Sequence, residues 1–476
     1  MTSPLLSSRI PQEARATCEL RRINLTRTPE QVLPAFHRAD TPAILESTMY
    51  DKSYGRWSMF MADPIDECRM TSDEASLDAL REAKRRWPNL DRPSDSPPFV
   101  GGWVGYLSYE LGAQMESVHR KTSSTQPIAL LHLYDTVALF HHDSQCWTLA
   151  AIQWPDGIAP ERPDAAERLD HLEQRLTSPA LEHVDDSLRT NPGKLSFTGC
   201  TLPPPLYLKR VQQTRDFIAA GDIFQMNLTN RYSALTPQSP WQIYDRLRQA
   251  NPSFYGCLLP WRDTSVISSS PELFLRLRNR SVTTRPIKGT ARRTGNDVAD
   301  QALAETLASS EKETSELNMI IDLLRNDLGR VAEFGSVKVD HPGAIEMHPT
   351  VIHRVATITS QLRQNCDEIS LLQASFPGGS ITGCPKIRAM QLIHQLEPDR
   401  RGIYCGAIGW IGLDGDMEMN IAIRTMTLEG RVLTIGSGGA ILADSDPESE
   451  LEEIRAKARA MMLAAGEADH RAWERM

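Results

Sequence analysis

A mixed α+β fold is predicted by three features of the sequence. Apolar segments rich in β-branched residues come in clusters, long amphipathic stretches stand apart from them, and no regular βαβα alternation threads the chain. The 476 residues are 40% hydrophobic and 24% charged, the balance of a folded soluble chain rather than a disordered, collagenous or membrane one. That length allows two or three domains, or one with a large core. The longest nearly uncharged apolar stretch, Ile403 to Leu413, is far short of the roughly 20 residues that cross a bilayer. Met1 to Arg22 mixes Pro, Ser, Arg and Glu without an apolar block, so a cytoplasmic location is expected.

In the first half, FVGGWVGYLSYELG from Phe99 and IALLHLYDTVALFHH from Ile128 read as strands broken by polar turns. From Trp154 to Pro205 the composition shifts: PDGIAPERPD, a charged helical stretch AAERLDHLEQRL, TNPGK and TLPPP follow one another. This is read as a connection between an N-terminal region, 1–180, and a C-terminal one, 200–476. The second half opens with a helix over Tyr207 to Ala220, stopped by Gly221, and closes with one from Pro447 to about Ala465. A single long helix is expected from Ala302 to Arg330. Between these lie the strand-like SVISSSPELFLRLR, VTTRPIKGT, YCGAIGWIGL, MNIAIRTMTL and RVLTIGSGGAIL.

Charge is mildly acidic overall, 52 Lys plus Arg against 61 Asp plus Glu, which gives no basic surface for nucleic acid. Locally it is polarised. Arg276 to Arg293 holds seven basic residues and no acidic one, and Asp444 to Glu453 holds six acidic residues and no basic one. In the last helix Leu451, Ile454, Ala458, Met461 and Ala465 form an apolar face, with Glu450, Glu453 and Lys457 along its border. In the middle helix Glu313 and Glu316 share the i, i+3 spacing and lead onto Ile320 and Leu324. Carboxylates in line with a core face are costly unless a cation neutralises them. Two such pairs facing each other would suit Mg²⁺, which takes a few carboxylates and keeps waters. Either pair alone is also the ordinary pattern of a solvated helix face.

Lys288, in Pro286-Ile-Lys-Gly-Thr290, combines an apolar approach with a following glycine. Its neighbours Arg285, Arg292 and Arg293 would favour a neutral amine by like-charge repulsion, and a neutral amine is a nucleophile. An anion-binding cation is the equal alternative. GGSITGCPK from Gly378 lacks the Gly-Lys-Ser/Thr of a nucleotide loop. His348 and His353 are read as packed or substrate-side histidines before metal ligands. The eight cysteines form no C-x-x-C pair and match no nucleophile signature, so they are ordinary thiols.

These motifs together resemble the chorismate-utilising enzymes, the family of the anthranilate, aminodeoxychorismate, isochorismate and salicylate synthases. The resemblance runs through AGDIFQMNLT, SPELFLR, RPIKGTARR, LNMIIDLLRNDLGRV, FPGGSITGCPKIRAM, GIYCGAIGWIG, NIAIRT and GSGGAILADSDPESELEEIRAKA, and in the first half through AILESTMYDKSYGRWSMFMADP and PFVGGWVGYLSYELG. It implies two large antiparallel β-sheets packed as a sandwich with helices outside. Pro-Ile-Lys-Gly-Thr and GGSIT are similar to the branch that aminates chorismate at C4, where the anthranilate branch has alanine for the lysine. Gln225 stands where the water-adding members place a lysine base, which argues against isochorismate or salicylate synthesis.

Carried over residue by residue, the resemblance makes Lys288 the nucleophile and Glu272 the general acid. Glu316 and Glu453 would be direct Mg²⁺ ligands, with Glu313 and Glu450 holding its waters. Tyr404, Arg424 and the amides around Gly438 and Gly439 would bind a substrate carboxylate, with Gln225, Thr290, His353 and Lys457 completing the pocket. The implied product is 4-amino-4-deoxychorismate, on the way to 4-aminobenzoate and folate, with ammonia supplied by a glutamine amidotransferase partner. Glu46 and Ser47 resemble the segment that holds bound tryptophan, although NPSFYG at Asn251 departs from the usual Asn-Pro-Ser-Pro. The alternatives are C2 amination, as in anthranilate synthase component I, or a non-catalytic chorismate- or tryptophan-binding regulator, which would need neither acid nor nucleophile.

Overall fold

A computed structural model describes residues 14–49, 54–71, 76–118, 126–159, 161–179, 195–262, 264–349 and 351–466. The first 13 residues and the TNPGK stretch of the connection lie outside the described residues. Two sheets dominate, one of 13 strands and one of 10. Their ladders are antiparallel apart from the short pairing of Arg15–Ile23 with Asn89–Leu90. Both sheets draw strands from both sides of the connection. In the larger one Ala43–Glu46 pairs with Tyr255–Pro260, and in the smaller one Gly102–Leu107 pairs with Ala407–Gly412.

Alternation along the strands explains the layering. On Thr136–His141, Val137 and Leu139 point into the core between the sheets, whereas Ala138 and Phe140 point into a second apolar layer. That outer layer is covered by Ala165–Thr177, Pro240–Ala250 and Pro447–Ala464 through Leu169, Leu172, Ile243, Leu247 and Met461. Between the sheets, Tyr106 of one stacks on Trp261 beside the other. The resulting sandwich carries helices on its outside.

Three strand-like segments of the sequence are pairs of strands in different sheets; MNIAIRTMTL divides between Met417–Ile421, in the smaller sheet, and Thr425–Glu429, in the larger one. Ala129–Tyr134 lies in the smaller sheet and Thr136–His141 in the larger one. The corner between them is Asp135, fully buried and paired with Arg162 at 2.8 Å and Arg168 at 2.9 Å. Ser265–Ser270 and Leu273–Arg278 change sheets in the same way, and Glu272 sits at that corner. The corners at Asp135 and Glu272 put acidic side chains inside the sandwich.

The structure corrects two local expectations. The stretch Ala302 to Arg330 is not one helix but two, Asp297–Ser309 and Glu311–Gly329. Ser310 has extended backbone angles and caps the second helix by accepting from the Glu313 N–H, while Arg354 Nη1 holds the carbonyls of Leu307, Ala308 and Ser310. The YELG end of the Phe99 segment is not strand but the start of a helix, Tyr109–Met115, whose buried face reads as apolar in either period. The paired strands Lys338–Met347 and Val351–Gln361 escape a periodicity reading because the first is bulged twice, which breaks its alternation.

Candidate active site

Lys288 lies at a break in a ladder. Ile287–Arg292 pairs with Val351–Gln361 at Ile287 and again at Thr290, with an irregularity between them that holds Lys288 and Gly289. Gly289 has φ +78°, and a Cβ there would stand 2.6 Å from Leu307 Cδ1 and 3.1 Å from Glu313 Oε2. Only glycine lets the bulge press against the two middle helices. The bulge brings Lys288 Nζ to 3.4 Å from Glu316 Oε2.

The arginines near Lys288 do not serve the purpose the sequence suggests. Arg285 pairs with Glu346 and lies over the Tyr54 ring, and Arg293 pairs with Asp300 at 2.7 Å. The charge facing the amine is the Glu316 carboxylate, so the expectation that the basic run acts on Lys288 is corrected. Thr290 meets His353 at 3.0 Å through Nδ1. Burial pushes the His353 imidazole down to about 4, with His348 and Arg424 adding to it, so the ring is neutral near pH 7.

Glu272, at its corner, accepts a 2.6 Å hydrogen bond from Ser380 Oγ. Burial raises its carboxyl to about 7, against the opposing pull of Ser380 and of Lys288. The carboxyl can therefore hold a proton at neutral pH. Gln225 is wholly buried, and among the described residues neither atom of its amide has a hydrogen-bond partner.

On the C-terminal helix, Ser445 Oγ donates to Glu450 Oε1 at 2.6 Å, and the buried Oε2 has no partner among the described residues. Lys457 reaches Glu453 and the Gly438 carbonyl, the latter at 3.1 Å. Arg424, at φ +52°, donates to the Lys457 carbonyl at 2.8 Å. The Tyr404 ring packs where a Cβ on Gly436 would be, 2.2 Å from its Cγ. Burial and the neighbouring Glu316 raise the Glu313 carboxyl; burial and Glu453, against the Ser445 bond, raise that of Glu450. Burial works against the charged form of Glu453 too, but Lys457, Lys288 and Lys312 hold its carboxyl low.

The two carboxylate pairs thus share Lys288 and Lys312 across the space between the helices. As placed, no three metal-binding groups among the described residues gather into a cluster, because Glu316 turns to Lys288 and Glu453 to Lys457. The surroundings nevertheless fit a hard cation. Glu450 Oε2 is an orphaned buried oxygen, and a Cβ on Gly439 would lie 3.1 Å from it and 3.6 Å from Glu453 Oε1. The glycine leaves open the space that both carboxylates face.

Three partners escaped sequence reasoning. Lys312 is exposed and indistinguishable from other helix-surface lysines, and Ser445 and Ser380 are small hydroxyls whose signal is only their place in motifs already noted. Lys386, in the GGSITGCPK segment, is committed to Asp327 at 2.6 Å. Farther off, Glu46 is buried with both oxygens engaged, by Arg248 and by Tyr244 Oη at 2.8 Å, while Ser47 Oγ donates to the Phe254 carbonyl at 2.6 Å. Both residues line a small pocket between the sheets together with Trp57, Met59, Phe254 and Trp410.

The family profile described as chorismate binding enzyme matches residues 45–463. The chain belongs to the chorismate-binding enzymes. Among this enzyme's relatives, the aminodeoxychorismate synthase component 1 of Salmonella typhimurium is 35% identical over 84% of this chain and 87% of its own. The anthranilate synthase component 1 of Thermus thermophilus is 38% identical over 81% and 82%. Among solved structures, anthranilate synthase component I from Streptococcus pneumoniae superposes with a TM-score of 0.74 at 31% identity, covering 87% of the chorismate-binding enzyme described here and 93% of its own chain. No helix among the described residues is long and apolar enough to cross a membrane.

Proposed function

We propose that this chorismate-binding enzyme is the synthase component that converts chorismate and ammonia to 4-amino-4-deoxychorismate, with its working side chains all within 200–476. The observation that carries the reading is the amine of Lys288 in one site with the protonatable carboxyl of Glu272, the acid and nucleophile a displacement at C4 requires. Relatives named aminodeoxychorismate synthase component 1 support it. Amination at C2 is the second reading, favoured by relatives named anthranilate synthase component 1. The lysine favours the first.

In the proposed reaction the Lys288 nitrogen bonds to C2 as the ring double bonds shift and the C4–O bond breaks, with the Glu272 proton leaving on the departing oxygen as water. Ammonia then bonds to C4, the double bonds shift back, and the C2–N bond breaks to free the lysine. Glu316 and Glu453 would hold Mg²⁺ directly, and Glu313 and Glu450 its waters. A bound Mg²⁺ supplies Lewis-acid polarisation of the ring carboxylate. Arg424 and Tyr404 orient the other carboxylate, for which the guanidinium fork is suited. Gln225, with its unpartnered buried amide, is left for the substrate to satisfy. Ammonia would come from a glutamine amidotransferase subunit, consistent with relatives named as components, and the product would serve 4-aminobenzoate formation for folate.

Quenching the enzyme with chorismate and Mg²⁺ but no ammonia should trap an adduct on Lys288 of the mass of chorismate less one water. Persistent absence of that mass during turnover would contradict the covalent step. Tryptophan is the proposed occupant of the Glu46 and Ser47 pocket. Saturation at about 100 times Kd would add about 2.7 kcal/mol to stability, and an unmoved melting temperature would reject it.

A further inference from the structure

Glu272 is held at its backbone and at one carboxyl oxygen. Its N–H donates to Ser270 Oγ at 3.3 Å and its carbonyl accepts from the Ile421 N–H at 3.0 Å. Ser270 Oγ donates in turn to the Ile421 carbonyl at 2.6 Å. Among the described residues the carboxyl itself has a single hydrogen bond, from Ser380 Oγ to Oε1. One bond therefore selects which oxygen of the pair faces elsewhere.

Ser380 has little freedom of its own. It lies in the turn Gly379–Ile381, where Thr382 Oγ1 donates to the carbonyls of Gly378 and Gly379 and Arg401 Nη1 donates to that of Ile381 at 2.7 Å. A Cβ on Gly379 would stand 2.6 Å from Leu323 Cδ2, on the helix that carries Glu313 and Glu316. One on Gly378 would stand 2.5 Å from Ile421 Cδ1, on the strand that holds the Glu272 backbone. The turn is wedged between the acid's corner and the carboxylate helix. It sets the distance of the Ser380 hydroxyl from both.

We propose that Ser380 is the positioning residue for the general acid, its hydroxyl occupying Oε1 so that the transferable proton sits on Oε2. This rests on the reading of Glu272 as the acid. When Oε2 gives its proton to the departing C4 oxygen, the Ser380 O–H is already in place to stabilise the carboxylate that remains. Two groups favour that carboxylate, Ser380 and Lys288, and burial opposes it. Removing the hydroxyl leaves a carboxyl that turns more freely and holds its proton to higher pH.

The test is the pH dependence of steady-state kinetics with chorismate, Mg²⁺ and ammonium for Ser380→Ala, Ser380→Thr and Glu272→Gln. Ser380→Ala should lower kcat roughly tenfold to a hundredfold, leave KM for chorismate within about threefold, and move the alkaline limb of kcat upward. Ser380→Thr, which keeps the hydroxyl, should restore most of both. A Ser380→Ala enzyme with an unmoved limb, whatever its kcat, overturns the proposal, as does Ser380→Thr behaving like Ser380→Ala. Should Ser380→Ala not fold, Ser380→Cys, a close match in shape and a weaker donor, is read by the same limb. Wild-type activity in Glu272→Gln would instead overturn the acid itself, so the two failures are distinct.

Discussion

The Lys288 amine stands 3.4 Å from Oε2 of Glu316, on a glycine bulge that fits nothing larger than hydrogen against Leu307 and Glu313. The proposed nucleophile and a proposed metal ligand are thus neighbours, on a strand and a helix brought together by a backbone that only Gly289 permits. The chemistry at the two residues should be separable by mutation.

Lys288→Ala removes the nucleophile and leaves the four carboxylates in place. Its expected outcome is a loss of C4 amination by about a hundredfold or more, the scale of losing a covalent catalyst, with C2 amination becoming detectable. Chromatography and mass spectrometry of the products check it. Undiminished C4 product from this variant would remove the lysine from the reaction.

Glu316→Gln and Glu453→Gln each keep the shape of the side chain and delete one negative charge. Each should raise the Mg²⁺ concentration for half-maximal activity by about tenfold or more, and chelation should abolish turnover in the unmodified enzyme. Titration of activity against Mg²⁺ measures this. An unchanged midpoint in both variants would show that these carboxylates do not hold the ion.

The pH dependence follows from Glu272. Burial keeps its carboxyl at about 7, and the acid works only while protonated. Turnover should therefore be intact below that value and fall as pH rises through it. Bound chorismate, a dianion, adds negative charge that moves the limb further up and not down. A limb that persists unchanged in Glu272→Gln would assign it to another group.

Much of this site was legible in the sequence, for identifiable reasons. The spacing of Glu313 with Glu316 and of Glu450 with Glu453 puts each pair on one face of a helix, and the structure turns both pairs toward shared lysines. Pro286 and Gly289 mark Lys288 as held by backbone geometry, and Gly289 shares the bulge with it while Pro286 stands just before the strand. The arginine run does not act on Lys288 because nearness in sequence is not nearness in space: Arg285 ends one strand and faces Glu346 and Tyr54, while Lys288 sits on the bulge of the next and faces Glu316. Sheet changes at Asp135 and Glu272 were not legible, since strands buried on both faces have no alternation whose break would mark the corner. The Ser380 bond to Glu272 joins residues 108 positions apart, and no local pattern announces it.

C4 amination by a lysine and an acid stands or falls on the identity of the product. Purified enzyme would be incubated with chorismate, Mg²⁺ and an ammonium salt, and the products separated and weighed by mass spectrometry. Formation of 4-amino-4-deoxychorismate, convertible to 4-aminobenzoate by an added lyase, is the predicted result. Formation of anthranilate in its place, from a chain that carries Lys288, would contradict the account.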